Sequence, residues 1–442
     1  MSDSQHSPET DPRAAYDYQS ETVRRAGLVD DLDTRVDGDV RFDEYSRQLY
    51  ATDASAYEVT PIGVVYPTST DDVAAVMSYC ARREIPVLPR GGGTSLAGQA
   101  VNEAVVLDFT RHMDGLLGVD PDAETARVQA GAIVDELDAA LEPHGLKFAP
   151  DPAAGNRSAV GGAIGNNSTG AHSLKYGKTD AYVREAEVVL ADGTVTTLGE
   201  VSLDELHEGA DPDGDAKARI YAAVADIVDQ RSDAVREVFP QLKRNVSGYN
   251  LDRLLHEAGE APRASDSANG DTVSEDGSVN LARLLAGSEG TLAIITEATV
   301  DLEPIPETKS MALLTYEDLL DAMEDVAPIL DHDPAAVEVL DGVLLDLARE
   351  TEEFGDLVEM LPERTRAVLL VEFYAEDDAD GKEAVADLLA DRVPDADSEV
   401  PPADGAASIT DDPQQAFAAR EAHEPDARKQ FWKLRKSGLP IL

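Results

Sequence analysis

Apolar and polar positions follow two rhythms along this chain. In the first half, short β-branched runs are separated by glycine-rich stretches. "GVVYP" from Gly63 reads as a strand, and Thr70, two Asp residues and apolar positions 73, 76, 77 and 80 then have the pattern of a capped amphipathic helix. "IPVLP" is a second strand, so the pattern predicts a β-α-β unit ending at residue 90. Further along, "VREAEVVLADGTVTTL" alternates as a hairpin turning on Asp192-Gly193, and a β-branched strand follows Gly-Ser-Glu-Gly at 287–290. From residue 308 the rhythm changes to strand then helix, three times over: "SMALLTYEDLLDAMEDVAPIL", "AAVEVLDGVLLDLARE" and "RAVLLVEFYAEDDADGKEAVADLLADR". Residues 1 to about 40 are polar with little periodicity and read as a loosely held arm. Segments 201–216, 258–280 and 390–412 are rich in Asp, Ser, Gly or Pro and read as surface insertions, too poor in apolar surface to offset the entropy of ordering.

Three glycine-rich stretches carry the candidate chemistry. The first, "PRGGGTSLAGQ" at 89–99, ends the β-α-β unit, where three glycines in a row let a ligand approach a series of backbone N–H donors. It is neither a P-loop nor a Rossmann fingerprint: no Gly-Lys-Ser/Thr follows, and position 96, where a third glycine would fall, is Leu. By itself it is as compatible with a tight turn as with a phosphate cradle. The second, "GGAIGNNSTG" at 161–170, sets side-chain amides and hydroxyls among small residues, which suits hydrogen bonding to a polar heterocycle at close range. The third is "GSEGTLAIIT" at 287–296.

Composition narrows the function classes. The chain has 442 residues, 42% of them hydrophobic, enough for two or three domains. No run approaches the roughly 20 apolar residues of a membrane span, and the N-terminus lacks the features of a secretory signal. A cytoplasmic protein is expected, with attachment to the inner face of the membrane left open. The single Cys80 excludes an internal disulfide framework and a Cys-ligated iron–sulfur cluster. With 88 Asp and Glu against 37 Lys and Arg, the formal charge is −51, which repels nucleic acid and anionic lipid. The acidity is spread over every segment, as in proteins that work in molar salt.

Together the three stretches resemble the flavin domain of the vanillyl-alcohol oxidase and p-cresol methylhydroxylase (PCMH) superfamily. The likeness is greatest to the branch with glycolate oxidase flavin subunit, D-lactate dehydrogenase and D-2-hydroxyglutarate dehydrogenase. It runs from residue 57 to about 306. The resemblance implies an α+β chain: an acidic arm over 1–56, a two-subdomain PCMH-type FAD-binding domain over 57–306, and a partial ferredoxin-like α+β cap domain over 307–442. It implies that Gly91, Gly92, Gly93, Thr94, Ser95, Gly98 and Gln99 hold the FAD pyrophosphate. Pro150 and Asp151 would enter the second loop, whose Gly161, Gly162, Asn166, Ser168 and Gly170, with Gly177 at the next turn, would line the ribityl chain and isoalloxazine. Glu289, Gly290 and Ile295 would complete the site. Relatives that attach FAD covalently use a histidine in the first loop or a cysteine in the second. This chain has Gly93 and Thr94 in the first and no cysteine in the second, so the FAD is expected to be non-covalent.

The same resemblance implies oxidation of a small 2-hydroxy acid such as D-lactate or glycolate, with electrons passing to a quinone, cytochrome or iron–sulfur partner. Its W-x-x-R segment, matched by Trp432 and Arg435, sets an arginine against the substrate carboxylate. A guanidinium suits that planar group better than an ammonium does. Helix-dipole stabilisation is the plainer account of the cations at 428–436. The relatives' histidine-rich stretch after this arginine has no counterpart, and none of the eight histidines forms a pair with metal-ligand spacing. His172, in the second loop, could face the flavin or solvent, and His423 is read as solvated on an acidic helix. The chain is therefore expected to be a C-terminally truncated form or one piece of a split enzyme. Two readings stay open: a dehydrogenase, and a non-catalytic FAD-binding fragment.

The spread acidity generates a direct expectation. Far-UV circular dichroism should show folded structure near molar KCl and lose it in dilute buffer, where self-repulsion is unscreened; equal spectra in both would reject an adaptation to salt.

Overall fold

A computed structural model of the chain describes residues 23–240, 242, 245–259, 277–351, 354–393 and 416–436. The expected insertion at 390–412 lies outside these residues from 394 onward, as does that at 258–280 from 260 to 276. The chain divides into two compact units, one of residues 1–169 and 177–304, the other of 170–176 and 305–442.

Two larger sheets form the frame of the first unit among the described residues. In one, β1 (Asp39–Arg41), β2 (Gly63–Tyr66), β4 (Val105–Asp108) and β3 (Val87–Arg90) lie in that order. Both β2 and β3 run parallel to β4, with Gly63 and Val87 each beside Val105. The expected β-α-β unit is thus present, and its two strands flank a third. Its helix α2 (Thr70–Ala81) is capped by Ser69, one residue before the expected start, whose hydroxyl accepts from the Asp72 N–H. In the other sheet, β5 (Leu116–Asp120), β6 (Thr125–Gln129), β9 (Ile294–Asp301), β7 (Val183–Val189) and β8 (Val195–Leu198) are all antiparallel. Ala298 of β9 faces Val128 on one side and Ala186 on the other, and all three are buried.

Helix α2 joins the two sheets. Its Val73, Val76, Tyr79 and Cys80 share one core with Val65, Val105 and Leu107 of the first sheet and Val189 and Ile294 of the second. At its polar edge, Thr70 Oγ1 donates to Glu187 at 2.6 Å and Ser78 Oγ to the Asp192 carbonyl at 3.1 Å.

Two segments differ from the sequence expectation. Helix α1 (Val23–Asp33), read as part of a loose arm, buries Leu28 and Leu32 in the same core, and β1 pairs antiparallel with β2. The segment 201–216, read as an insertion, pairs Val201 with Val279 and forms a helix over Leu203–Gly209 with Leu206 fully buried. In both cases a few apolar residues reach a core built by distant parts of the chain.

The second unit is a four-stranded antiparallel sheet in the order β11 (Ala336–Asp341), β12 (Ala367–Ala375), β10 (Thr308–Tyr316), β13 (Ala418–Ala422). Helix α5 (Leu319–Leu330) follows β10, and α7 (Asp378–Arg392) follows β12. This is the βαββαβ arrangement of a ferredoxin-like unit. One face packs α5 and α7 through Ala312, Leu314, Leu369, Val371, Val385 and Leu388. The other, with Met311, Leu313, Leu340 and Leu370, packs α6 (Gly342–Arg349) and α8 (Pro425–Lys436). No helix among the described residues is long and apolar enough to cross a membrane.

Asp138 offers a test of packing in the first unit. It lies on α3 (Val134–Leu141) and accepts the Phe148 N–H at 2.7 Å, while burial pushes its carboxyl up to about 6. The unfolded value is about 3.9, so burial of the ionised form lowers stability as pH rises from about 4 through 6. Asp138→Asn should raise the thermal midpoint over wild type above pH 6 and give no such gain below about pH 4. A gain independent of pH would show that the carboxyl is not held protonated.

Candidate functional site

The first loop is held in place by the arginine before it. Arg90 is buried, and its guanidinium donates to the carbonyls of Tyr50, Thr52 and Ala100 at 3.3, 2.8 and 2.9 Å while lying over the Tyr50 ring. All three acceptors are backbone groups of the scaffold. The arginine therefore shapes the loop, a role that its place beside three glycines does not reveal.

The three glycine-rich segments, about 190 residues apart at their extremes, interlock within the first unit. First meets second where Thr94 Oγ1 and Ser158 Oγ lie 3.1 Å apart, and where Gly92 lies so close to the Arg157 carbonyl that a Cβ would sit 1.8 Å from its oxygen. First meets third where Gln99 Nε2 donates to Glu289 Oε1 at 3.1 Å and Gly290, at φ +77°, packs on Pro89. Second meets third where the Glu289 N–H donates to the Gly165 carbonyl at 2.9 Å. Within the first loop Ser95 donates to Gln99, and Gly93 and Gly98 take positive φ.

The second loop opens α4 (Val160–Asn166), after the buried Pro150 and part-buried Asp151. Gly161 packs against Ala130 and donates to its carbonyl at 2.8 Å, whereas Gly162 has nothing within 4 Å of where a Cβ would stand. The adjacent asparagines separate by burial. Asn166 is exposed and donates to Ser168 Oγ at 3.0 Å; Asn167 is buried in a left-handed cap and accepts the Asp180 N–H at 3.0 Å. Asp180 and Lys178, two fully buried residues just after Gly177, belong to an ionic group with Arg253 that braces this loop from behind. Ile295 lies in β9 opposite Val188. Gly170 and Arg435 belong to the second unit.

Do these residues fit an anionic cofactor? Among the described hydrogen bonds, none has a backbone N–H from Gly91 through Leu96 as donor. A run of six amides without protein acceptors, presented by a braced loop, suits a pyrophosphate. The open face of Gly162 suits a group that packs against the α4 backbone. Cys80, by contrast, is buried in the core between the sheets, and burial pushes its thiol up to about 12. It is an inert packing residue.

The second unit contains a polar cluster centred on Glu372 of β12, which is 2% exposed. Its Oε2 lies 2.6 Å from His172 Nε2, and its Oε1 accepts from Trp432 Nε1 at 2.8 Å. The His172 ring stacks on Tyr374 at 5.4 Å between centroids. Burial pushes the Glu372 carboxyl up, but His172, Lys309 and the Trp432 N–H outweigh it and hold the group below the ordinary glutamate range. His172 is thus mostly buried and engaged with a carboxylate, a partner 200 positions away that no local pattern indicates. His423 is corrected as well: it follows β13 instead of lying on a helix, is mostly buried, and contacts Ser310 and Glu421. Arg435 Nε donates to Glu338 Oε2 of β11 at 2.8 Å.

Comparison with known proteins accords with this geometry. Residues 61–199 match the family described as FAD binding domain, and residues 305–442 match FAD linked oxidases, C-terminal domain. The chain is 32% identical to D-2-hydroxyglutarate dehydrogenase of Pseudomonas putida, over 84% of this chain and 35% of that protein. It is 31% identical to glycolate oxidase subunit GlcD of Bacillus subtilis, over 76% of this chain and 57% of that one. With D-lactate dehydrogenase of Archaeoglobus fulgidus it shares 29% identity over 74% of this chain and 57% of the relative. The chain thus spans from about a third to somewhat over half of these relatives. A solved alkyldihydroxyacetonephosphate synthase shares the fold at a TM-score of 0.58 and 18% identity, covering 91% of this chain and 60% of that one.

Two glycines distinguish a packed position from an open one. Gly92→Ala must displace the Arg157 carbonyl and should lower both the thermal midpoint of the apoprotein and its FAD affinity. Gly162→Ala meets no protein atom and should keep or slightly raise the midpoint, since alanine favours the helix by roughly 1 kcal/mol, yet weaken FAD binding. Fluorescence titration with FAD beside thermal melts checks both; unchanged affinity in Gly162→Ala would remove that glycine from the cofactor surface.

Proposed function

Since the chain belongs to the FAD-linked oxidases, we propose that it oxidises a small 2-hydroxy acid to the 2-oxo acid. The interlocking of three distant glycine-rich segments around a run of amides without acceptors carries the cofactor part of this reading. The substrate class rests on the relatives, whose names specify D-2-hydroxyglutarate, glycolate and D-lactate.

Each part of the chain then has a defined task. The amides of 91–96 would hold the pyrophosphate, Gly162 and Asn166 would border the ring and ribityl chain, and the Gln99–Glu289 contact keeps the third segment against the first. The cofactor is held without a covalent bond: Gly93 and Thr94 offer no linking nucleophile, and Cys80 is sealed in the core. Bound FAD would supply the acceptor for the hydride on the carbon that bears the hydroxyl, and the hydroxyl proton would pass to water. Arg435 holds the substrate carboxylate through the planar donor fork that a guanidinium provides. A quinone, cytochrome or iron–sulfur partner would take the pair of electrons.

Anaerobic addition of D-lactate, glycolate and D-2-hydroxyglutarate to the FAD-loaded protein tests the proposal. At least one should bleach the yellow flavin absorbance, with one 2-oxo acid formed per flavin reduced. Full FAD occupancy without bleaching by any of them would make this an FAD-binding protein without that turnover.

A further inference from the structure

Helix α8 is fastened to the sheet of the second unit by two carboxylates set on a diagonal. In the register of β11 and β12, Glu372 stands opposite Ala336 and Glu338 opposite Leu370. Glu338 and Glu372 are therefore diagonal neighbours on one face of the sheet, the same face on which Phe431 and Trp432 of α8 pack. On α8, Trp432 and Arg435 are three residues apart and share a side of the helix. The two spacings match: Trp432 Nε1 donates to Glu372 and Arg435 Nε donates to Glu338, each at 2.8 Å.

The atom through which Arg435 is held matters. A guanidinium has two edges that can meet a carboxylate, one including Nε and one formed by Nη1 and Nη2. Glu338 takes the contact at Nε, and no other hydrogen bond or ion pair involves Arg435 among the described residues. Both side chains are largely buried, 28% and 20% exposed, so the long arginine is constrained along its length while its end-on edge has no protein acceptor. An unrestrained arginine would lose much of its rotamer freedom on binding a carboxylate, and fixing it beforehand removes that cost.

We propose that Glu338 is a positioning residue for substrate binding: it holds Arg435 through Nε and leaves the Nη1–Nη2 edge for the carboxylate of the 2-hydroxy acid. This rests on the reading of Arg435 as the carboxylate ligand. It makes the segment around residue 338, remote in sequence from the helix that carries the arginine, part of the substrate-recognition apparatus.

The test compares Glu338→Ala, Glu338→Gln and Arg435→Ala with wild type, all FAD-loaded, full-length and matched for thermal midpoint in molar KCl. Two quantities are read with the hydroxy acid that bleaches wild type best: the dissociation constant of its 2-oxo acid product, from the shift in the flavin spectrum, and the KM and kcat of reduction. Glu338→Ala should raise both the dissociation constant and KM about tenfold to a hundredfold and keep kcat within a few-fold. Glu338→Gln retains an acceptor oxygen and should recover most of the loss. Unchanged binding in Glu338→Ala, while Arg435→Ala binds poorly, overturns the positioning role alone; so does a glutamine variant as impaired as the alanine one. Unchanged binding in Arg435→Ala overturns the carboxylate-ligand reading and the proposal with it, as does a wild type that binds none of the three product acids.

Discussion

The buried guanidinium of Arg90 sets the geometry on which the first loop depends. Its desolvation is offset by three backbone carbonyls and an aromatic face, and those contacts draw together residues 50, 52 and 100 around the start of the glycine run. Burying a charge is tolerable only when its hydrogen-bonding capacity is met in this way. The cation is therefore used internally, and the loop is left to present amides. In a chain of formal charge −51, a run of backbone dipoles suits an anion without exposed lysines and arginines.

The rest of the first unit extends this constraint. Gly92 and Gly290 permit close approach where any side chain would force the segments apart, and the contacts of Thr94 with Ser158 and of Glu289 with both Gln99 and Gly165 convert three loops into one body. Helix α2 supplies the support beneath, because a single core runs from the parallel sheet through Val73, Val76 and Cys80 to the antiparallel one. The second unit follows a different principle. There a continuous sheet face carries two carboxylates at a spacing that a helix can meet with residues three apart, so strand register determines which polar groups of α8 are held.

Much of the local architecture was legible from pattern alone. The β-α-β unit, the Asp192-Gly193 hairpin and the three strand-helix pairs of the second unit each depend on hydrophobic periodicity, which is a property of short windows. The errors share a cause. Leu28, Leu32 and Leu206 sit in polar surroundings in the sequence, and their burial is decided by surfaces that other segments provide. His423 read as a helix residue open to solvent and His172 as a loop residue facing either flavin or solvent, yet each contacts a carboxylate and is mostly buried.

By itself the sequence determined which stretches could expose a run of amides, because only glycine combines small size with tolerance of positive φ, and it determined that the single cysteine, Cys80, lies outside them. It also specified strand and helix wherever the apolar period was regular. Only the tertiary structure decided that the three glycine-rich segments meet, that Arg90 serves the scaffold, and that Glu338 and Glu372 share a face. Such pairings depend on register and chain path over as many as 200 residues, and no local spacing encodes them.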